Sequence, residues 1–175
     1  MLNAAIVGLG WWGQHIVSTL QGKSKIIRFT RAIDTDLAGT KSIADQNGLL
    51  LSTELKDALK DADIGAIVLA TPHSLHEEQI VNSANAGKHV FCEKPLALTK
   101  ESAERSIDAC EAAGVVLGVG HERRFEPAMM EIKRMIEEGE LGKIMHVEAN
   151  FSHNKLANLP PDNWRVSTRE SPAAG

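Results

Sequence analysis

Three glycines spaced Gly-x-Gly-x-x-Gly, at Gly8, Gly10 and Gly13, could hold a diphosphate. Gly8 permits a tight turn, Gly10 lets a phosphate approach the backbone without meeting a Cβ, and Gly13 lets a helix pack closely on a strand. Leu9, Trp11 and Trp12 fill the intervening positions and are expected, with the glycines, to contact the cofactor. The unpaired N–H groups of the helix start, with a dipole of roughly half a positive charge, would face the anion. Asp34 follows about twenty residues later, where an acid would accept hydrogen bonds from an adenosine ribose. A carboxylate repels a 2′-phosphate, and Thr35-Asp36 supplies no arginine to receive one, so NAD is expected in preference to NADP. Arg31, inside an expected strand, is poorly placed as a phosphate clamp.

Three further segments close apolar runs. They are Ala70-Thr71-Pro72 with His73 and His76 beyond it, Cys92-Glu93-Lys94-Pro95, and Gly120-His121-Glu122-Arg123-Arg124. In an open parallel sheet all three would gather beside the glycine loop at the carboxyl edge, where ligands bind. His73 and His76 are three apart, but no second ligand pair has zinc spacing, so no metal is expected. His76 is expected near the cofactor. Cys92, on a buried strand, reads as an inert small apolar residue. Arg123 and Arg124 could face substrate or phosphate, or form surface ion pairs.

The elements that must position these residues alternate. Strands are expected near 3–8, 26–33, 64–70, 88–92 and 115–119, and helices over 36–47, 53–61, 75–86 and 99–113. Short apolar runs such as Ile64–Ala70 suit strands covered on both faces, so the fold class is α/β, a Rossmann-type doubly wound parallel sheet. Thr99 is a candidate cap for the helix after it, and Gly87 and Gly114 sit where helix C-terminal glycines belong. Beyond residue 120 the pattern changes. Pro127 opens a helix through Glu138, with Met129, Met130 and Met135 as core or interface packing, and residues 143–153 read as a strand. Two domains are expected: 1–121, binding NAD(P), and 122–175, a connecting helix and the first strand of a truncated α/β substrate and oligomerisation domain.

Composition narrows the classes. A net charge of −4 with no basic cluster argues against a nucleic-acid partner. No apolar run reaches membrane-spanning length and no signal peptide opens the chain, so neither a membrane nor export is expected. Two cysteines in buried segments suit a reduced, cytoplasmic setting. Tyrosine is absent, which excludes a phenolic acid or base.

Taken together, Gly8-Leu-Gly-Trp-Trp-Gly13, Ala70-Thr-Pro72 with His76, Ala86-Gly-Lys-His-Val90, Glu93-Lys-Pro95 and Arg124-Phe125-x-Pro127 resemble the Gfo/Idh/MocA (glucose–fructose oxidoreductase/inositol dehydrogenase) family. The resemblance implies hydride transfer between a nicotinamide cofactor and a hydroxyl-bearing carbon of a sugar, cyclitol or related small molecule, by a homo-oligomeric enzyme. It makes Lys94 the catalytic acid/base, a role open to a lysine whose pKa is lowered by burial and a neighbouring cation. It places Glu93 near Lys94 or the nicotinamide ribose. With Thr71, Pro72, His76 and Arg165, Glu93 and Lys94 complete the expected cofactor contacts. Lys94, Arg123 and Trp164 are the substrate candidates, Trp164-Arg165 resembling a Trp-Arg pair of many members. The family completes its acid/base set with an Asp and a His further along, so residues 1–175 are expected to carry the cofactor half of a site and part of the substrate half, and to be inactive alone. The alternatives are a non-catalytic dinucleotide sensor or degenerate subunit, and a methyltransferase with a similar glycine turn.

Overall fold

A computed structural model describes residues 1–152, 154, 158–161 and 163–167. Six strands form one parallel sheet: β1 (Leu2–Val7), β2 (Ile27–Ile33), β3 (Leu50–Ser52), β4 (Ala66–Leu69), β5 (His89–Glu93) and β6 (Leu117–Gly120). Their order is β3-β2-β1-β4-β5-β6, and every neighbouring pair is parallel. The helices are α1 (Trp11–Leu20), α2 (Leu37–Gln46), α3 (Leu55–Leu59), α4 (His76–Asn85), α5 (Lys100–Ala112) and α6 (Pro127–Glu137).

Alternation along the strands sends side chains to two cores. Ala5, Val7, Ile67, Leu69, Val90 and Cys92 enter one, and Ala4, Ile6, Phe29, Ala32 and Val68 enter the other. Both faces are therefore dry, which is why these strands read as continuous apolar runs. Each fully buried Ile, Leu or Phe side chain contributes about 1.5–3 kcal/mol. Helix ends follow local chemistry. Thr99 and Ser102 form a capping box at α5, and the carboxylate of Asp36 accepts the Gly39 N–H at 2.9 Å to start α2. Gly87 and Gly114 end α4 and α5 with φ of +70° and +64°, conformations that favour glycine.

Three expectations differ from the structure. β3 was not anticipated: it is three residues long, too short to show a period, and is defined by its register on β2, Arg31 against Leu50. Residues 143–152 pair with no strand, because a strand exists only where a neighbour takes its N–H and C=O groups and none of the described residues does so; His153 lies outside the described residues. Met129 and Met130, expected in a core or an interface, enter no core of this chain: they are exposed together with Ile132 and Ile136, and α6 buries no residue.

Lys88 is a buried lysine that the sequence did not single out. Its ammonium donates to the carbonyls of Asp61 and Ile64, at 2.8 and 2.7 Å, and so ties the loop before β4 to the start of β5.

A candidate dinucleotide site at the carboxyl edge of the sheet

β1 ends at Val7 and hands the chain to the glycine loop. Gly8 has φ +90°, and a Cβ there would lie 2.7 Å from the Ala70 carbonyl oxygen. A Cβ on Gly13 would lie 1.8 Å from the Gly8 carbonyl oxygen, so α1 crosses its own strand at a distance only glycine allows. Around Gly10 nothing approaches within 4 Å of the Cβ position. Gly10 is the N-cap of α1 and carries no side-chain cap, leaving the first N–H groups of that helix for a ligand.

The loop is pinned from both sides. Its Gly8 N–H donates to the Ile33 carbonyl of β2, and the Ala70 N–H donates back to Val7 of β1, both at 2.8 Å. Leu9, fully buried, donates its N–H to Asp34 Oδ2 at 2.6 Å, while Asp34 Oδ1 accepts the Asp36 N–H at 2.9 Å. Trp11, Trp12 and His15 stack on the first turn of α1, with Trp12 and His15 centroids 4.9 Å apart.

The ends of β4 and β5 form the other half of the edge. Pro72 precedes a single 3-10 turn, His73–Leu75, which leads into α4. His76, the first residue of α4, is fully buried, with Nδ1 2.9 Å from the Pro95 carbonyl oxygen and Nε2 3.1 Å from that of Thr71. One turn on, Gln79 Oε1 accepts the Thr71 hydroxyl at 2.6 Å. His76 was expected near the cofactor, and it lies at this edge. Its sealed ring turns one nitrogen to each of these two carbonyls.

Glu93 is buried, its carboxylate 3.4 Å from the Lys94 N–H and lodged against Gly120, where a Cβ would come within 2.6 Å of Oε1. The peptide between Lys94 and Pro95 is cis. Lys94 itself is exposed, so the burial expected to tune it is not supplied by residues of this sheet. Cys92 is a free, fully buried thiol. Burial, and next the charge of Glu93, push it up to about 12.

Trp164 and Arg165 come to this edge from far along the chain. The Trp164 ring meets His73 edge-on, with centroids 4.8 Å apart, and the Arg165 guanidinium lies 4.3 Å over the Trp164 ring. Partial burial lowers the Arg165 pKa from its usual range. Arg123 is not brought to the same group. It pairs with Glu126 at 2.9 Å and covers the ring of Phe151 at 4.5 Å. Gln79 and Gly120 were missed by sequence reasoning. For Gln79 the available signal was its spacing of three from His76 on one helix face.

A diphosphate fits this cradle, since Gly10 is open where a Cβ would intrude and the adjoining N–H groups lack caps. Among the described residues, no cluster of three or more His, Cys, Asp or Glu could hold a metal, and no helix is long and apolar enough to cross a membrane. The sheet order, the glycine loop at a helix N-terminus and the acid after β2 define a Rossmann-type dinucleotide-binding domain.

A family model described as the oxidoreductase family with an NAD-binding Rossmann fold matches residues 2–121, and one for the Gfo/Idh/MocA C-terminal domain matches 129–175. The chain belongs to the Gfo/Idh/MocA oxidoreductase family. It is 33% identical to 1,5-anhydro-D-fructose reductase of Ensifer adhaerens, over 94% of this chain and 50% of the relative. It is 26% identical to a D-xylose 1-dehydrogenase [NADP(+)] of Haloarcula marismortui, over 93% of this chain and 46% of that protein. Among solved structures, scyllo-inositol dehydrogenase of Lactobacillus casei, with bound NAD(H) and scyllo-inositol, superposes with a TM-score of 0.76 at 28% identity, covering 81% of this chain and 42% of that one. The chain spans about half the length of the curated relatives it matches.

Proposed function

We propose that this chain forms the cofactor-binding half of an NAD(H)-dependent oxidoreductase acting on a hydroxyl-bearing carbon of a sugar or cyclitol. The observation that carries the reading is the union of Asp34 with the glycine loop through the Leu9 N–H, at 2.6 Å. It ties the acid to the loop that leads into an uncapped helix start, which suits a ribose at the one and a diphosphate at the other. The relatives named above act on small sugars and cyclitols, which supports that substrate class.

NAD is preferred to NADP on electrostatic grounds. Asp34 and Asp36 place two carboxylates at the end of β2, and Asp36 already caps α2. A 2′-phosphate there would meet negative charge rather than a guanidinium. Arg31 lies 3.7 Å from Asp61 and supplies no substitute.

Nicotinamide, when bound, supplies the acceptor or donor of hydride. Lys94, at the tip of β5, takes the hydroxyl proton as the C–H bond breaks, or returns it in reduction. Glu93, buried behind it against Gly120, holds the start of that turn. Because Lys94 is exposed here, its desolvation would come from a substrate domain closing over the edge. That domain would also give the homo-oligomer its interface. The two free, buried thiols suit a reducing compartment such as the cytoplasm.

Fluorescence titration with NADH and NADPH tests the reading. Saturable binding, tighter for NADH, is expected. Binding of S-adenosylmethionine without any response to NADH would overturn it.

A further inference from the structure

We infer that His76 is a positioning residue that clamps the β4 and β5 loops together and so sets the turn that presents Lys94. The inference rests on the cofactor reading for its consequence, but its physical basis is independent. His76 is fully buried, and its two ring nitrogens reach the carbonyl oxygens of Thr71 and Pro95, residues on two different strand ends. The Pro95 carbonyl is one residue beyond Lys94. Fixing it fixes the direction in which the chain leaves the lysine.

The hydrogen-bond chemistry is specific. Both partners are carbonyls and can only accept, so a ring bearing one N–H satisfies one of them, and a ring bearing two donates to both. No apolar side chain replaces either contact. Gln79 reinforces the β4 side from the same face of α4: its Oε1 takes the Thr71 hydroxyl at 2.6 Å, and its own carbonyl takes the Ser83 hydroxyl at 2.6 Å. α4 thus carries a polar stripe, His76, Gln79 and Ser83, at positions a core helix would ordinarily fill with apolar residues. The stripe ends at the two loops beside the candidate lysine.

A ligand cannot reach the sealed imidazole, so His76 acts only through the loops it holds. It should therefore affect the nicotinamide end of a bound dinucleotide and spare the adenine end, which depends on the glycine loop and Asp34. Calorimetric titration of wild type, His76→Phe and His76→Gln with NADH and with ADP-ribose separates the two ends. His76→Phe is expected to lose about tenfold in NADH affinity with ADP-ribose affinity unchanged. His76→Gln, whose amide NH2 can still donate to a carbonyl, should show the same split at smaller size. Amide hydrogen exchange of the unliganded chain should quicken in His76→Phe at Leu75 and Thr99, whose N–H groups bond the Pro72 carbonyl and the Ser102 hydroxyl beside the two loops, and stay unchanged in β1.

An equal loss for both ligands, or no loss for either, would overturn the clamp. If wild type binds neither ligand, the cofactor reading fails. Exchange at Leu75 and Thr99 then decides alone: quicker exchange upholds the clamp and unchanged exchange refutes it. Should His76→Phe not fold, His76→Gln is read the same way.

Discussion

Asp34 Oδ2 lies 2.6 Å from the Leu9 backbone nitrogen, so the acid that closes β2 and the loop that closes β1 are one hydrogen-bonded unit. Asp34→Asn keeps an accepting oxygen but removes the charge, and a charge-assisted bond is roughly twice as strong as a neutral one. NADH affinity should fall about tenfold, while the disadvantage of NADPH shrinks because its 2′-phosphate meets one carboxylate fewer. Parallel fluorescence titrations check both changes.

Gly13 and Gly10 should separate packing from binding. Gly13→Ala drives a Cβ into the Gly8 carbonyl, 1.8 Å away, and the backbone can yield only by moving α1 off the sheet. Urea unfolding should show a loss of about 1–3 kcal/mol, with no NADH binding. Gly10→Ala meets nothing within 4 Å, so stability should stay within about 1 kcal/mol of wild type. Its Cβ would stand in the phosphate's approach, and binding should still be lost.

Lys94→Ala removes an exposed side chain, so stability should change by less than about 0.5 kcal/mol and NADH affinity should hold. In the protein carrying a complete substrate domain, kcat should drop roughly a hundred- to ten-thousand-fold. An unaltered kcat would end the assignment of Lys94 as acid/base.

Lys88→Met should cost about 1–3 kcal/mol, because two loop carbonyls, on Asp61 and Ile64, lose their buried donor. These contacts sit at the edge of the sheet opposite the glycine loop. Denaturation midpoints should shift while NADH titrations do not.

Cys92 makes stability fall in alkali. Its thiol is pushed from 9.0 to about 12, so the folded chain holds a proton that the unfolded chain releases. The contribution is full below about pH 9 and is lost as pH rises toward 12. Burial raises Cys110 in the same direction. Comparing wild type with Cys92→Ala isolates the effect: the alkaline loss in urea midpoint should be smaller in the variant. A thiol reagent should also leave folded Cys92 unmodified near neutral pH.

The sequence by itself determined the parallel α/β sheet, the glycine loop and Asp34. The reason is that each rests on local chemistry: continuous apolar runs for dry strands, a missing Cβ at Gly8, Gly10 and Gly13, a cap at Thr99. Tertiary structure alone decided what depends on residues meeting from distant strands. β3 exists because β2 offers it a register, and residues 143–152 pair with nothing because no described strand offers them one. The room Gly120 leaves for Glu93, the carbonyls that hold Lys88, and the two loops that share His76 likewise follow from packing. A histidine three residues from another looks the same in sequence whether it faces a ligand or a pair of carbonyls. Only the closing of α4 over the strand ends gave its nitrogens their partners.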